Sequence, residues 1–428
     1  MKIYTKPDRS EWELLSRRPS AEASRVPAVV RQILGGVRSR GDQALKEFTH
    51  TFDGVVLDSL RVSLTDRDSA AEAVDDRISD AITQAIGAIR AFHSTQLVIE
   101  DAVETVPGIT CYRRSVPIER VGIYIPGGSA PLFSSLLMLA IPAQLAGCEE
   151  LALCTPVSAS GQINPVIALC AQKLQIDELY LVGGAQAIGA MAYGTETIKR
   201  VHKICGPGNA FVTEAKLQVA AEGVPIDMGA GPSEVLVIAD AGADPRYVAA
   251  DLLAQAEHGA DSQMVVVTPC TELVPRILAE VERQLSLLPR QAVAEQALRQ
   301  SFVVVTESLQ EAVAFSNVYA PEHLILSVTE PEVLAERVVN AGSVFLGYWA
   351  AEALGDYASG TNHVLPTNGS ARGVSGVSVD TFMKKITFQR VSERGLRNLA
   401  PTVTTMAKAE GLEGHARAVS IREEVSSE

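Results

Sequence analysis

The chain lacks a run of basic residues, a paired-cysteine motif and an unbroken apolar stretch of membrane-spanning length, and each absence removes a class of protein. Lys and Arg total 37 against 51 Asp and Glu, a net charge of −14. Phosphate binding needs a basic patch, so nucleic acid is excluded as a default partner and a cationic or neutral small molecule fits better. The six cysteines, Cys111, Cys148, Cys154, Cys170, Cys205 and Cys270, are scattered with no Cys-x-x-Cys spacing. No apolar signal segment follows Met1, which points to a cytoplasmic chain with reduced, buried thiols instead of a disulfide framework or a thiolate metal site. The most apolar stretch, 131–147, is interrupted by Ser134, Ser135, Pro142 and Gln144. It reads as a buried helix, not a membrane span.

What remains is an ordinary globular composition, 47% hydrophobic and 21% charged over 428 residues, long enough for two or three domains. Residues 1–22 read as a short polar arm, 26–48 as an amphipathic helix pair broken at Gly35-Gly36, and 75–95 as a further helix. From Val121 onward the pattern changes. Strand-like segments at 121–125, 151–154, 179–182, 199–204 and 235–238 alternate with helical ones, and the rhythm resumes with strands at 263–267, 302–305, 324–327 and 343–346. Such alternation implies right-handed crossovers and parallel sheets covered on both faces. The expected class is α/β, with two Rossmann-like modules of doubly wound, largely parallel sheet, a short N-terminal arm and a helical C-terminal arm without a clear strand.

Several polar clusters could carry chemistry. In Tyr319-Ala-Pro-Glu322-His323-Leu, Pro321 stops a helix at Ala320 and releases a carboxylate and an imidazole into a loop before a strand. Adjacent side chains can share one site only on irregular backbone; the plain alternative is a surface pair at a helix end. A helix beginning at Asp244-Pro245 and running to Gly259 places Gln255 and His258 on one face of its last turn, suited to two ligands of one ion or to a stabilising C-terminal histidine. Asp356 and His363, in 355–363, follow a strand where α/β folds put ligands. Four of the seven histidines, His258, His323, His363 and His415, sit in Gly-, Pro- or acid-flanked contexts. Nitrogen and oxygen donors without thiolate suit a catalytic or substrate-holding Zn²⁺. Glycine-rich turns at 124–129 and 206–209 could admit a dinucleotide pyrophosphate, or be tight turns alone.

These blocks together resemble the histidinol dehydrogenases. The resemblance rests on Tyr124-Ile-Pro-Gly-Gly-Ser-Ala-Pro131, Gly183-Gly-Ala-Gln186, Lys203-Ile-Cys-Gly-Pro-Gly-Asn209, Ile226-Asp-Met-Gly-Ala-Gly-Pro-Ser233-Glu, Asp251-Leu-Leu-Ala-Gln255-Ala-Glu-His258, Ala320-Pro-Glu322-His323, Gly355-Asp356-Tyr-Ala-Ser-Gly-Thr-Asn-His363 and Glu410-Gly-Leu-Glu-Gly-His415. It implies a two-step oxidation of L-histidinol to L-histidine through the aldehyde, reducing NAD twice. It further implies one zinc per subunit on Gln255, His258, Asp356 and His415. His323 is then the general base and Glu322 activates water. Ser233, Gln255, His258, Glu322, His323, Asp356, His363, Glu410 and His415 contact substrate, and Tyr124, Gln186 and Asn209 contact NAD. The resemblance also implies a homodimer whose C-terminal arm supplies Glu410 and His415 to the partner. The implied division is 1–22, a main domain of 23–123 with 235–377, an inserted NAD-side domain 124–234, and an arm 378–428. The rivals are a same-fold dehydrogenase of another polar alcohol, which retention of Ser233, His363 and Glu410 argues against, a zinc hydrolase, and a non-catalytic metabolite binder.

Overall fold

The computed structural model describes residues 1–18, 25–127, 131–229 and 231–425. Gly128 and Ser129 of the first glycine turn, the last residues of the N-terminal arm and the last three of the chain lie outside the described residues. The strands run in chain order β1 (Lys2–Thr5), β2 (Val103–Val106), β3 (Ile109–Pro117), β4 (Arg120–Tyr124), β5 (Glu150–Thr155), β6 (Glu178–Leu181), β7 (Lys203–Cys205), β8 (Glu234–Ala239), β9 (Gln263–Thr268), β10 (Phe302–Val305), β11 (His323–Ser327), β12 (Ser343–Leu346) and β13 (Met383–Val391). They form a parallel sheet ordered β6-β5-β4-β7, a second ordered β1-β10-β9-β8-β11-β12, also parallel throughout, and an antiparallel sheet β13-β3-β2.

Side-chain alternation explains the second sheet. Val235, Val237, Met264, Val266, Val303, Val305 and Ile325 pack into the core on one face, and Leu236, Ile238, Val265, Val267, Val304, Leu324 and Leu326 into the core on the other. A strand buried on both faces must be apolar at every position, which is why these segments read as continuous Val/Ile/Leu runs. Each parallel sheet reverses its winding once, between β4 and β7 in the first and between β8 and β11 in the second.

The structure departs from the pattern reading in several places. The long helix Val26–Asp53 passes straight through Gly35-Gly36 and kinks at Gly41 (φ 51°, ψ −131°) instead. Its apolar face, with those of Leu64–Glu72 and Asp76–Ser94, shares a core with the first sheet. These helices share that core with the 124–234 segment, and Val364 and Val377 from beyond the second sheet join it. The N-terminal arm holds β1, which pairs with β10, and the helix Arg9–Leu15. The C-terminal arm is not helical throughout: β13 pairs with β3 over nine residues before the helices Glu393–Ala409 and Glu413–Val425. β13 is largely exposed, so it shows little apolar alternation, and its place is fixed by backbone pairing and by Tyr112 stacked on Phe388 at 5.0 Å. Among the described residues no helix is long and apolar enough to cross a membrane.

Candidate active site

The Glu322-His323 pair owes its position to a forced turn. The helix Leu309–Tyr319 is capped by Ser308, which accepts from Glu311 N, and ends at Ala320 in the left-handed conformation (φ 53°, ψ 67°). That conformation costs a residue with a Cβ about 1–2 kcal/mol, and Pro321 disfavours the right-handed helical alternative at Ala320. His323 is already the first residue of β11 and not part of a loop; only Glu322 precedes the strand. Gly342 N donates to Pro321 O and Ser343 N to Glu322 O, both at 2.9 Å, so the start of β12 closes over the turn. A Cβ at Gly342 would lie 2.5 Å from Glu322 O, closer than any real contact, so glycine is required there.

Side chains from the preceding turn and two helices, with the backbone of β8, gather around His323. Its Nδ1 lies 3.1 Å from Glu234 O, and because a carbonyl only accepts, Nδ1 carries a proton. Nε2 has no hydrogen-bond partner and lies 3.5 Å from an Asp356 oxygen. Glu352 Oε1 stands 3.4 Å from Nδ1, and Glu322 Oε2 3.7 Å from it. Glu322 Oε2 also accepts from Glu234 N at 2.9 Å. With its amide oriented to suit its neighbours, Gln255 donates to Glu352 Oε1 at 2.5 Å and accepts from Glu234 N at 2.7 Å. All of this sits at the amino ends of β8 and β11, whereas open α/β sheets usually bind ligands at the carboxyl ends. Gln255 reaches it because the helix Pro245–Ala256 returns from the far end of β8 to the start of β9.

Burial and charge shift both acid–base groups. Burial pushes the Glu322 carboxyl up to about 8, with His323 pulling the other way. Burial disfavours a charged His323, but the carboxylates of Glu352, Glu322 and Asp356 outweigh it and raise the imidazole to about 10. Asp356, despite its own burial, is held below the ordinary carboxylate range by its contact with His323.

The other expected residues fall into three groups. Ser233 directly precedes β8 and Glu234. His258 lies two residues beyond the helix end at Ala256, in a turn and not in the last helical turn, with an exposed ring within electrostatic reach of Asp356 and His323. His363 donates through Nδ1 to Asp356 O at 2.7 Å, which leaves Nε2 to accept from Ser135 Oγ at 2.9 Å. That second bond joins the cluster to the first turn of the helix Phe133–Ala146. Tyr124, Gln186 and Asn209 occupy the carboxyl edge of the first sheet. Tyr124 Oη accepts from Gly184 N at 3.0 Å, Gln186 folds back beneath Gly184, and Asn209 caps the helix Ala210–Ala221 by accepting from Phe211 N and Val212 N. Glu410 and His415 are exposed, and no hydrogen bond or ion pair between described residues joins either side chain to the His323 cluster.

Two residues of the cluster carry no role in the sequence reading. Glu352 is buried at 1% exposure, with Oε2 unpartnered, and Glu234 is wholly buried. Glu352 had a signal, since it precedes Asp356 by one helical turn on the same face. The donors also fit a zinc ion. Asp356, the His323 ring and Glu352 place ligand atoms within 4.8 Å of one another, Gln255 and His258 adjoin them, and the set is nitrogen and oxygen without sulfur. The unpartnered His323 Nε2 and Glu352 Oε2 mark a polar interior built to receive something.

A buried imidazole with one fixed proton and one open nitrogen, set among carboxylates in a two-sheet α/β scaffold, defines an enzyme of the proton-transfer kind. Comparison with known proteins makes the class specific. The family model for histidinol dehydrogenase matches residues 16–423. The histidinol dehydrogenase of Vibrio cholerae is 51% identical over 418 residues, 97% of this chain and 96% of its own, and that of Bacteroides thetaiotaomicron is 47% identical over 422 residues, 99% of each. The crystal structure of histidinol dehydrogenase from Elizabethkingia anophelis superposes with a TM-score of 0.98 at 50% identity, covering 100% of this chain and 99% of that one. The chain belongs to the histidinol dehydrogenase family and is an oxidoreductase.

Proposed function

We propose that the enzyme oxidises L-histidinol to L-histidine through L-histidinaldehyde, the end of histidine biosynthesis, as a cytoplasmic homodimer using NAD and one zinc per subunit. The observation that supports this most is the open, buried Nε2 of His323 beside Glu322, in a chain about half identical to histidinol dehydrogenases over nearly its whole length.

His323 takes the substrate hydroxyl proton on Nε2 as the carbon gives up hydride, leaving the aldehyde; Glu234 O holds Nδ1–H so that the ring cannot turn. Glu322 then removes a proton from water as its oxygen adds to the aldehyde carbon, while His323 returns the first proton to the carbonyl oxygen, which gives the hydrate and frees Nε2 again. A carboxylate raised to about 8 is a stronger base than an ordinary one, which suits that task. The hydrate loses a second hydride and a hydroxyl proton to give the acid, again with His323 as acceptor. Tyr124, Gln186 and Asn209 would hold NAD, which when bound would supply the hydride acceptor. Zinc, when bound by Gln255, His258, Asp356 and the partner's His415, would hold the substrate's imidazole and amino nitrogens and offset the charge that keeps His323 protonated. Ser233, His363 and Glu410 orient the substrate. On this reading 124–234 is the NAD-side module, 23–123 with 235–377 the catalytic domain, 1–22 an N-terminal arm, and 378–428 the arm that crosses to the partner.

The test is NADH yield from limiting L-histidinol. Two equivalents per substrate are expected from the wild type, and a yield falling toward one, with aldehyde trapped, from Glu322→Gln. Turnover of other alcohols with none of L-histidinol refutes the assignment, and equal loss of both half-reactions in Glu322→Gln refutes the division of roles.

A further inference from the structure

The catalytic pair is held by Glu234 through its backbone and not its side chain: Glu234 N donates to Glu322 and Glu234 O accepts from His323. The Glu234 carboxylate, fully buried, points the other way, and what it meets there comes from the far end of the chain. Arg18 donates to it through Nε at 3.0 Å and through a terminal nitrogen at 2.7 Å, a two-point fork, while Asn368 N donates to the same carboxylate at 2.7 Å. The guanidinium side chain is only 6% exposed and lies over the Tyr319 ring at 3.6 Å. Its remaining donors reach Ser16 O at 2.7 Å and Ala320 O at 3.3 Å. Arg18 therefore fixes, by its side chain, the residue whose peptide groups hold the pair, and also bonds the carbonyl of the left-handed residue that turns the chain into them.

We infer that Arg18 is a positioning residue for catalysis, the N-terminal segment acting as a strut that fixes the acid–base pair through Glu234 and Ala320. The geometry requires a planar fork. A lysine at the same place supplies the charge at one point only and cannot hold two carboxylate oxygens and Ala320 O together. The inference rests on the roles proposed for Glu322 and His323, and its test is chosen to read the strut itself as well as turnover.

Arg18→Lys is expected to lower kcat with L-histidinol at least tenfold, while the KM for L-histidinol, the zinc content and Tm stay close to wild type. In its crystal structure the Glu234–Glu322 and Glu234–His323 hydrogen bonds lengthen. Because an unpaired buried charge can unfold a protein, the companion variant removes both partners, Arg18→Met with Glu234→Met. It is expected to recover Tm without recovering kcat, since apolar packing replaces the pair's contribution to folding and not its aim. Unchanged hydrogen bonds in Arg18→Lys overturn the inference whatever the substrate proves to be. So does a double variant that regains full kcat, or a loss of kcat that only tracks lost zinc or lost fold. A wild type inert toward L-histidinol refutes the assigned reaction and leaves the hydrogen-bond comparison to decide on Arg18.

Discussion

On the helix Pro245–Ala256, one turn before Gln255, Asp251 turns a carboxylate toward the interior, where it accepts from the Glu352 peptide N–H. Burial raises this group from an ordinary 3.8 to about 6, the hydrogen bond opposing the rise only in part. The folded chain thus holds the proton more tightly than the unfolded one, and its stability falls as pH rises through the window between those values. A shift of about two units corresponds to roughly 3 kcal/mol, discounted to about 1–3 because the side chain keeps some solvent contact. Asp251→Asn keeps an acceptor for Glu352 N–H and removes the charge. It is expected to raise Tm above pH 7, with a gain that shrinks as pH falls from 6 toward 4. Thermal melts of the two proteins across pH 4–8 check this; a gain independent of pH excludes ionisation as its source. The acid–base pair itself was legible, because Pro321 announces irregular backbone beside a carboxylate and an imidazole. Glu352 and Glu234 were not. Each lies beside a recognisable motif, and only burial, which sequence does not display, separates a working carboxylate from a solvated one.

The turn after β7 shows how an element is built for a task its own residues cannot explain. Gly206 has φ +135°, and a Cβ there would lie 2.1 Å from Tyr124 O, so β4 and the turn touch backbone to backbone. Beneath it Lys216 and Asp227 form an ion pair that is almost fully buried. Lys216 Nζ donates to Gly206 O at 2.8 Å, and Asp227 accepts from Gly206 N at 2.8 Å and Met228 N at 2.7 Å. Lys216→Met leaves Asp227 buried and uncompensated, which costs about 3–5 kcal/mol and lowers Tm by several degrees. If this turn faces NAD, the surviving enzyme shows a KM for NAD raised several-fold, with the KM for L-histidinol unchanged. Equal change in both constants, or in neither, counts against that placement. Buried strands such as β8 to β10 were legible in sequence because both faces are apolar. β2 and β13 were not, since they are mostly exposed, and neither was the half-buried β3, whose long partner β13 lies far away in the chain. A helix end moved by three residues, from Gly259 to Ala256, lies below what periodicity resolves.

At the scale of the molecule the two parallel sheets meet where the amino edge of the second faces residues carried by the first. His363 reaches Ser135 at 2.9 Å and Thr367 Oγ1 accepts from Gly231 N at 2.5 Å. This arrangement could not be read from strand order, which by the usual rule would have placed the chemistry at the opposite edge. Gln255, His258 and Asp356 stand together within one chain, while His415 stays exposed on a helix whose main contact is the preceding helix of the same arm. Under the proposed function these three would hold zinc, and His415 of the partner subunit would be its fourth ligand. If the arm of one subunit closes the site of the other, His415→Ala and His323→Ala damage different halves of a shared site. Each homodimer is then inactive. A mixed dimer carries one site with both lesions and one with neither, so random reassortment at equal mixing is expected to restore about a quarter of wild-type activity: half the dimers are mixed, and each has one intact site of two. Zinc content should stay at the mean of the two parents, because each mixed dimer carries one site with all four ligands and one without His415. Activity assays and metal analysis on verified heterodimers check both, and heterodimers that stay inert place His415 in the site of its own chain.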